Sequence, residues 1–276
     1  ARGHGPVPRL GRRRDPLVKP GAGGAGETLP VLYADDALVV VNKPSGLLVH
    51  RSPIDRHETR FAVQLLRNQL GRRVYPVHRL DKGTSGALAF ALDRTIAGTL
   101  AAAFASQQVH KSYLAIVRGW PAASGTIEHA LEAVQDPYAP AGDGVAKPAR
   151  TDFRTLATVE LPHRVDRYPT TRYALLELQP DTGRRHQLRR HLAHISHPII
   201  GDSTYGKGRH NRLFADSFGV NRLLLACVKL QFAHPVTGEP LVIDADPGPG
   251  FEALLEQLDW QPATPAAEPG ISPVSP

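Results

Sequence analysis

His78-Arg79-Leu80-Asp81-Lys82-Gly83-Thr84-Ser85-Gly86 is a polar stretch set between two short apolar runs, and its reading decides how the rest of the chain is arranged. Before it, Val74-Tyr75-Pro76-Val77 reads as a brief strand. After it, Ala87-Leu88-Ala89-Phe90-Ala91-Leu92 is an unbroken apolar run of the length of a buried strand. A loop held between such elements has a fixed backbone while its side chains stay free to meet a ligand. Asp81 is the carboxylate of this loop, which makes it either the reactive group of a site or a turn residue paired with Arg79 or Lys82.

On the N-terminal side, Val31-Leu32-Tyr33, Leu38-Val39-Val40-Val41 and Leu47-Leu48-Val49 predict strands, with Lys43-Pro44-Ser45-Gly46 as turn chemistry between the last two. Thr59 to Leu70 fits a helix with Ala62, Leu65, Leu66 and Leu70 on one face and Gly71 as its stop. Asp93 suits the N-cap of a second helix running through Ile96, Leu100 and Phe104.

Beyond it, Lys111 to Val117 predicts a strand in which Tyr113, Ala115 and Val117 alternate with Leu114 and Ile116. That pattern could as well make Tyr113 an ordinary core aromatic. Thr126-Ile127 reads as a short strand, followed by an Ala/Gly/Pro-rich loop as far as Lys147. Thr151 to Leu161 and Tyr173 to Leu178 read as paired strands flanking a loop from Pro162 to Thr171. Leu223 to Phe232 is a long buried strand, which His234-Pro235-Val236-Thr237-Gly238 turns back into Leu241-Val242-Ile243. Phe251, Leu254, Leu255 and Leu258 give a last amphipathic helix.

The most basic stretch is Arg184-Arg185-His186-Gln187-Leu188-Arg189-Arg190-His191-Leu192-Ala193-His194. Leu188, Leu192 and Ile195 recur at helical spacing, so Arg185 and Arg189 line an adjacent stripe with no acid in the segment to neutralise them. Such a stripe needs anions, from RNA phosphate or from a carboxylate elsewhere in the chain. His186, His191, His194 and His197 raise a metal reading, but no acid stands at a zincin spacing and basic neighbours disfavour a cation, so no metal is expected.

With 276 residues, 41% of them hydrophobic, the chain can bury one sizeable core. Residues 1–27 hold Arg2, Arg9, Arg12, Arg13, Arg14 and Lys19 against Asp15 and Glu27 and lack apolar periodicity, which predicts a disordered basic tail. Residues 28–260 are then the folded unit and 261–276 a Pro/Ala-rich tail. No apolar run approaches the roughly 20 residues of a membrane span, and the N-terminal stretch has no apolar h-region, so a cytoplasmic protein is expected. Cys227 is alone, which excludes an internal disulfide, and reads as a small buried hydrophobe. A formal net charge of +7 suits a polyanionic partner.

Four of these stretches resemble, in order, the boxes of the RluA-like pseudouridine synthases. Asn42-Lys43-Pro44-Ser45-Gly46 resembles the first box, His78 to Gly86 the HRLDxxTSG box, Lys111-Ser112-Tyr113 the tyrosine box and Gly183 to Arg189 the arginine box; His197-Pro198-Ile199-Ile200-Gly201-Asp202 is similar to the segment that follows. The resemblance spans Pro30 to Trp260. It implies an α+β fold with a mixed, mostly antiparallel central sheet flanked by helices, and a catalytic cleft across the sheet. It also implies isomerisation of uridine to pseudouridine within an RNA chain, with no cofactor.

By the same resemblance Asp81 is the reactive group, Tyr113 stacks on the target base and Arg189 pairs with Asp81, with Arg184 as second choice. Arg79 helps to hold the base out of its helix. Arg79, Lys43, Arg184, Arg185 and Arg190 are the side chains expected to meet RNA. Leu225-Ala226-Cys227 departs from the family, which commonly has Leu-His-Ala. Leu48 to Ser52, Arg167 to Tyr173 and Arg184 to His194 resemble the branch that modifies uridine sixty-five in the T-stem of tRNA. That implies a monomer acting on tRNA, with 23S rRNA, or both RNAs, as the alternative, and no S4-type RNA-binding module within residues 1–27. Two other classes compete: a non-catalytic RNA binder, which has no use for Asp81 beside Tyr113 and Arg189, and a metal-dependent hydrolase, which chelators would inactivate.

Overall fold

The computed structural model describes residues 27–51, 57–132 and 145–260; the expected tails before Glu27 and after Trp260, and much of the Ala/Gly/Pro-rich loop, lie outside the described residues. The described strands form one mixed sheet: β1 (Val31–Ala34), β2 (Leu38–Lys43), β3 (Tyr75–Pro76), β4 (Ser85–Ala91), β5 (His110–Arg118), β6 (Ser124–Glu128), β7 (Arg150–Leu161), β8 (Thr171–Pro180), β9 (Leu225–Ala233) and β10 (Pro240–Asp244). The spatial order is β1-β2-β4-β9-β5-β8-β7-β6, with β10 on β9 and β3 on β4. Every pairing is antiparallel except that of β4 with β9.

That parallel pairing is short, Ser85 with Ala226 and Gly86 with Cys227, and the sheet forks there. One edge of β4 is filled by β2; the other touches β9 at Ser85–Gly86 and β3 at Phe90 and Ala91. Gly86 permits the junction: its φ is +108°, and a Cβ there would stand 2.0 Å from the carbonyl oxygen of Cys227. The same row continues through Tyr113, Leu178 and Phe153 on β5, β8 and β7.

Strand alternation sends side chains into two cores. Tyr113, Ala115 and Val117 of β5 join Leu176 and Leu178 of β8 in one, under α1 (Ala62–Leu70), α2 (Arg94–Ala105) and α3 (Gln187–His194). Leu114, Ile116, Tyr173 and Leu175 join the other, under α4 (Gly208–Phe218) and α5 (Pro249–Gln257). Asp93 caps α2 as expected, accepting from the amides of Thr95 and Ile96 at 2.7 and 3.3 Å. No helix among the described residues is long and apolar enough to cross a membrane.

Leu47-Leu48-Val49 does not form the expected strand. It makes a single bridge, Leu48 to Phe61, because its carbonyls are taken: Leu48 and Val49 accept the amides of Ala62 and Val63, and Leu47 accepts Lys43 Nζ. The segment serves as the start of α1, which accordingly begins at Ala62 rather than Thr59. Helix α4 lies where the sequence reading assigns no element; Phe214 anchors it in the second core and Gly219 ends it in the left-handed region.

Candidate active site

The loop from Val77 to Thr84 delivers Asp81 to the fork in the sheet. Its turn closes with the Thr84 amide on the Asp81 carbonyl at 3.0 Å, and the 43–47 segment clasps it from below. The Gly46 amide donates to the Lys82 carbonyl at 2.8 Å and Ser45 Oγ to the Gly83 carbonyl at 2.7 Å. Lys43, expected to meet RNA, is fully buried, and its ammonium donates to the carbonyls of Pro44, Leu47 and Lys82 at 2.8, 2.7 and 3.3 Å. Burial pushes its pKa down to about 7, Arg222 adds to the fall and Asp81 opposes it. Its place at the end of β2, paired with Gly86, turns it inward to hold the loop.

Asp81 forms no turn pair with Lys82, whose ammonium reaches Glu58 at 2.7 Å. Its carboxylate, 20% exposed, faces Arg189 Nη1 at 3.4 Å and His186 Nε2 at 3.9 Å. Arg189 is itself locked: Nε and Nη2 donate to the two oxygens of Asp202 at 2.7 and 2.8 Å, the bidentate geometry that fixes a guanidinium in one plane. Asp202 is buried and also accepts the amides of Thr204 and Tyr205 at 2.8 and 3.0 Å. Burial by itself raises the Asp202 pKa; the Arg189 donors and the two amides outweigh it and hold the carboxyl below its ordinary value. The Tyr205 ring lies 5.1 Å from the guanidinium, and its hydroxyl meets His186 Nδ1 at 3.1 Å.

The turn before α3 is pinned by Gln187, whose Oε1 accepts from Thr182 Oγ1 and the Arg184 amide at 2.7 and 3.0 Å while Nε2 donates to the Arg150 carbonyl at 2.9 Å. This forces His186 into the left-handed region, φ 55°, and aims its ring at Asp81. Tyr113 sits on the other wall, opposite Cys227 in the β5–β9 register. Burial raises the Tyr113 pKa well above its usual value, with Cys227 and Asp81 adding to the rise, and burial lifts the Cys227 thiol to about 12. Both groups are neutral near pH 7.

Two cavities meet at the carboxylate. The first, about 460 Å³, runs past Tyr113, Lys111, Phe104 and Arg184; the second, about 850 Å³, runs past His50, Arg51, Thr204 and Arg222. Arg79, Leu80, Asp81, Arg185, His186 and Arg189 line both, and among the described residues Asp81 is the only acid that does. His78, directly before, is structural: its Nε2 accepts the Ala89 amide at 3.0 Å, its ring stacks on Phe104 at 4.4 Å, and burial drops its pKa to about 3.

The RNA pseudouridylate synthase family pattern matches residues 37–194, which contain this loop, Tyr113 and Arg189. The chain belongs to the RNA pseudouridylate synthase family. It is 47% identical over 235 residues to tRNA pseudouridine synthase C of Vibrio vulnificus (strain CMCP6), covering 84% of this chain and 96% of that protein. It is 48% identical over 236 residues to the protein of the same name from Pasteurella multocida (strain Pm70), covering 84% and 97%. Among solved structures, Human RNA Pseudouridylate Synthase Domain Containing 4 superposes with a TM-score of 0.62 at 27% identity, over 83% of this chain and 93% of that one. The chain is thus an enzyme of the pseudouridine synthase class, on the mixed sheet that the resemblance implies.

In this pseudouridine synthase the fold brings Asp81, Tyr113 and Arg189 to one cavity, with Arg79, Arg184 and Arg185 around it. Arg190 lies off both cavities and donates to the Glu132 carbonyl at 2.8 Å. The four histidines disperse: His186 to the cleft, His191 to Thr151 and the His129 carbonyl, His194 to a stack on His129, and His197 to the Arg118 carbonyl. Sequence reasoning misses Asp202, Tyr205 and the approach of His186 to Asp81. The only signal for Asp202 is its place in the segment after the arginine box, and nothing local shows that it returns to Arg189.

Proposed function

We propose that this pseudouridine synthase acts on tRNA and converts a T-stem uridine, at position sixty-five, with Asp81 as the reactive group. The tRNA substrate follows the names of relatives at 47% and 48% identity, and the position follows the branch that the sequence resembles. The observation that carries the role of Asp81 is its standing, among the described residues, as the only acid common to both cavities, held beside Arg189.

The reaction is an isomerisation, and every atom of the uridine is kept. The bond from C1′ to N1 breaks, the detached base turns, and C5 joins C1′; the C5 proton leaves and N1 gains one. The Asp81 carboxylate either adds to C1′ or removes a sugar proton to give a glycal, and both routes need it ionised. Arg189 Nη1 stands 3.4 Å from that carboxylate, and Asp202 keeps Arg189 aimed. A stacked uridine must first leave its helix, and a flat ring such as Tyr113 suits an extruded base. Because the Tyr113 phenol is held neutral, Asp81 is the better placed base for the C5 proton. On this reading the enzyme is a cytoplasmic monomer that needs no cofactor.

The test is pseudouridine mapping of tRNA and ribosomal RNA with and without the protein, and a purified reaction on an acceptor–T-arm minihelix. A new pseudouridine at the T-stem position and none in 23S rRNA is the expected result. Modification of ribosomal RNA alone would overturn the tRNA reading and leave the isomerase chemistry intact.

A further inference from the structure

The cleft occupies one end of β5 and β8, and the opposite end carries a surface that the reaction does not use. Among the described Phe, Tyr and Trp residues only Trp120 and Tyr168 are exposed, at 42% and 58%. Each stands with an arginine: Arg172 lies 4.3 Å from the centre of the Trp120 ring and Arg167 4.7 Å from that of Tyr168. Trp120 stands two residues past the end of β5, and its Nε1 donates to the Val159 carbonyl at 3.2 Å, which fixes the ring plane against the end of β7.

Tyr168 rides on the loop between β7 and β8, and that loop is anchored from beneath. Asp166 meets Nε2 of the buried His210 at 3.1 Å, and His210 Nδ1 meets the hydroxyl of the fully buried Tyr173 at 2.8 Å. Arg209 comes to 3.8 Å of Asp166, and Arg118 at the end of β5 acts on the same carboxylate. Thr170 Oγ1 donates to Glu160 at 2.5 Å, and Arg172 pairs with Glu160 at 3.3 Å. Arginines outnumber acids on this surface, and the Trp120 indole is held by its hydrogen bond to Val159 while Tyr168 stands on the anchored loop.

Exposed rings interleaved with guanidinium groups are the composition of a nucleic-acid platform: bases stack on the rings and phosphates meet the arginines. A neutral protein partner has no use for the arginine excess. We propose that Trp120, Tyr168 and Arg172 form a second RNA contact, which takes an unpaired base and its flanking phosphates from the same RNA whose uridine enters the cleft. Tyr113 lies on β5 and Trp120 two residues past its end, seven residues further along the chain, so at about 3.3 Å per residue the contact lies at most roughly 20 Å from Tyr113. The proposal rests on the tRNA reading to the extent that a compact RNA must offer a stem uridine and an unpaired loop base that far apart.

The chain has two tryptophans, and the other, Trp260, is buried at 5%, so the accessible indole emission reports on Trp120. Titrating the whole protein with tRNA is expected to quench that emission and shield it from acrylamide, and Trp120→Phe removes the signal. Arg172→Ala is expected to raise KM for whole tRNA about tenfold, the size of one lost base-stacking and phosphate contact, with a much smaller change for the T-arm minihelix. If tRNA is retained on a filter while Trp120 emission and acrylamide access stay unchanged, the surface is not an RNA contact. A response to a protein partner and none to RNA overturns the proposal equally. If ribosomal fragments are modified and tRNA is not, the substrate reading fails; the second contact then stands if those fragments quench Trp120 and falls if they do not.

Discussion

Arg189 spans two carboxylates, gripping Asp202 with Nε and Nη2 at 2.7 and 2.8 Å while Nη1 reaches Asp81 at 3.4 Å. The short, bidentate contact sets the orientation of the guanidinium, and the long single contact faces the cleft. One partner positions the arginine and the other receives its field.

Asp81→Asn is expected to abolish pseudouridine formation while tRNA affinity stays within a few-fold of wild type. The amide has the same shape but can neither add to C1′ nor take a proton. Turnover near wild type in a purified assay rules Asp81 out as the reactive group.

Asp202→Asn leaves the buried guanidinium with one neutral partner, and breaking such a pair costs about 3 kcal/mol. The Asp202 pKa is lowered in the folded state, so the stability it contributes is present above the ordinary carboxylate pKa and is lost as pH falls through the folded value. Urea unfolding should therefore separate variant from wild type at pH 7, and the gap should narrow below about pH 4. A gap that stays constant across that range excludes the linkage.

Lys43→Met is expected to lower turnover by releasing three carbonyls around the Asp81 loop, yet to leave the salt dependence of RNA binding unchanged, because a fully buried ammonium touches no phosphate. Arg79→Ala or Arg184→Ala should instead reduce the slope of log affinity against log salt by about 1. Binding titrations at several salt concentrations distinguish these; a reduced slope for Lys43→Met contradicts its buried role.

Tyr113→Phe keeps the flat ring and removes a phenol that burial holds neutral, so turnover should stay within about tenfold of wild type. Tyr113→Ala removes the stacking surface, worth about tenfold to a hundredfold or more per base. Equal loss in both variants, measured by single-turnover kinetics, assigns the chemistry to the hydroxyl.

Gly86→Ala places a Cβ 2.0 Å from the Cys227 carbonyl at a φ of +108°, where neither strand can yield without opening the β4–β9 junction. A loss above about 4 kcal/mol is expected, seen as a lowered Tm or a failure to fold. A Tm within a few degrees of wild type shows that the junction is not rigid.

Most elements were legible because their signals are local, α4 and the Leu47-Leu48-Val49 segment excepted. The apolar run after Gly86 could only be a buried strand, Asp93 carries its own capping chemistry, and the alternation from Tyr113 to Val117 does divide between two cores. The resemblance of the motifs pointed to Asp81, Tyr113 and Arg189, and the fold brings the three to one cavity. Tertiary structure alone decided what each charge meets. Lys43 and Arg189 are both basic residues in family boxes, yet one is sealed under the loop by its pairing with Gly86 and the other is turned to the cleft by Asp202, thirteen residues away. The Leu47-Leu48-Val49 run has strand composition, but its carbonyls complete a helix start and an ammonium's hydrogen bonds. Hydrophobic periodicity records which face of an element is buried; it carries nothing about the partner of a buried polar group, because that partner comes from a distant segment and is chosen by the closure of the fold.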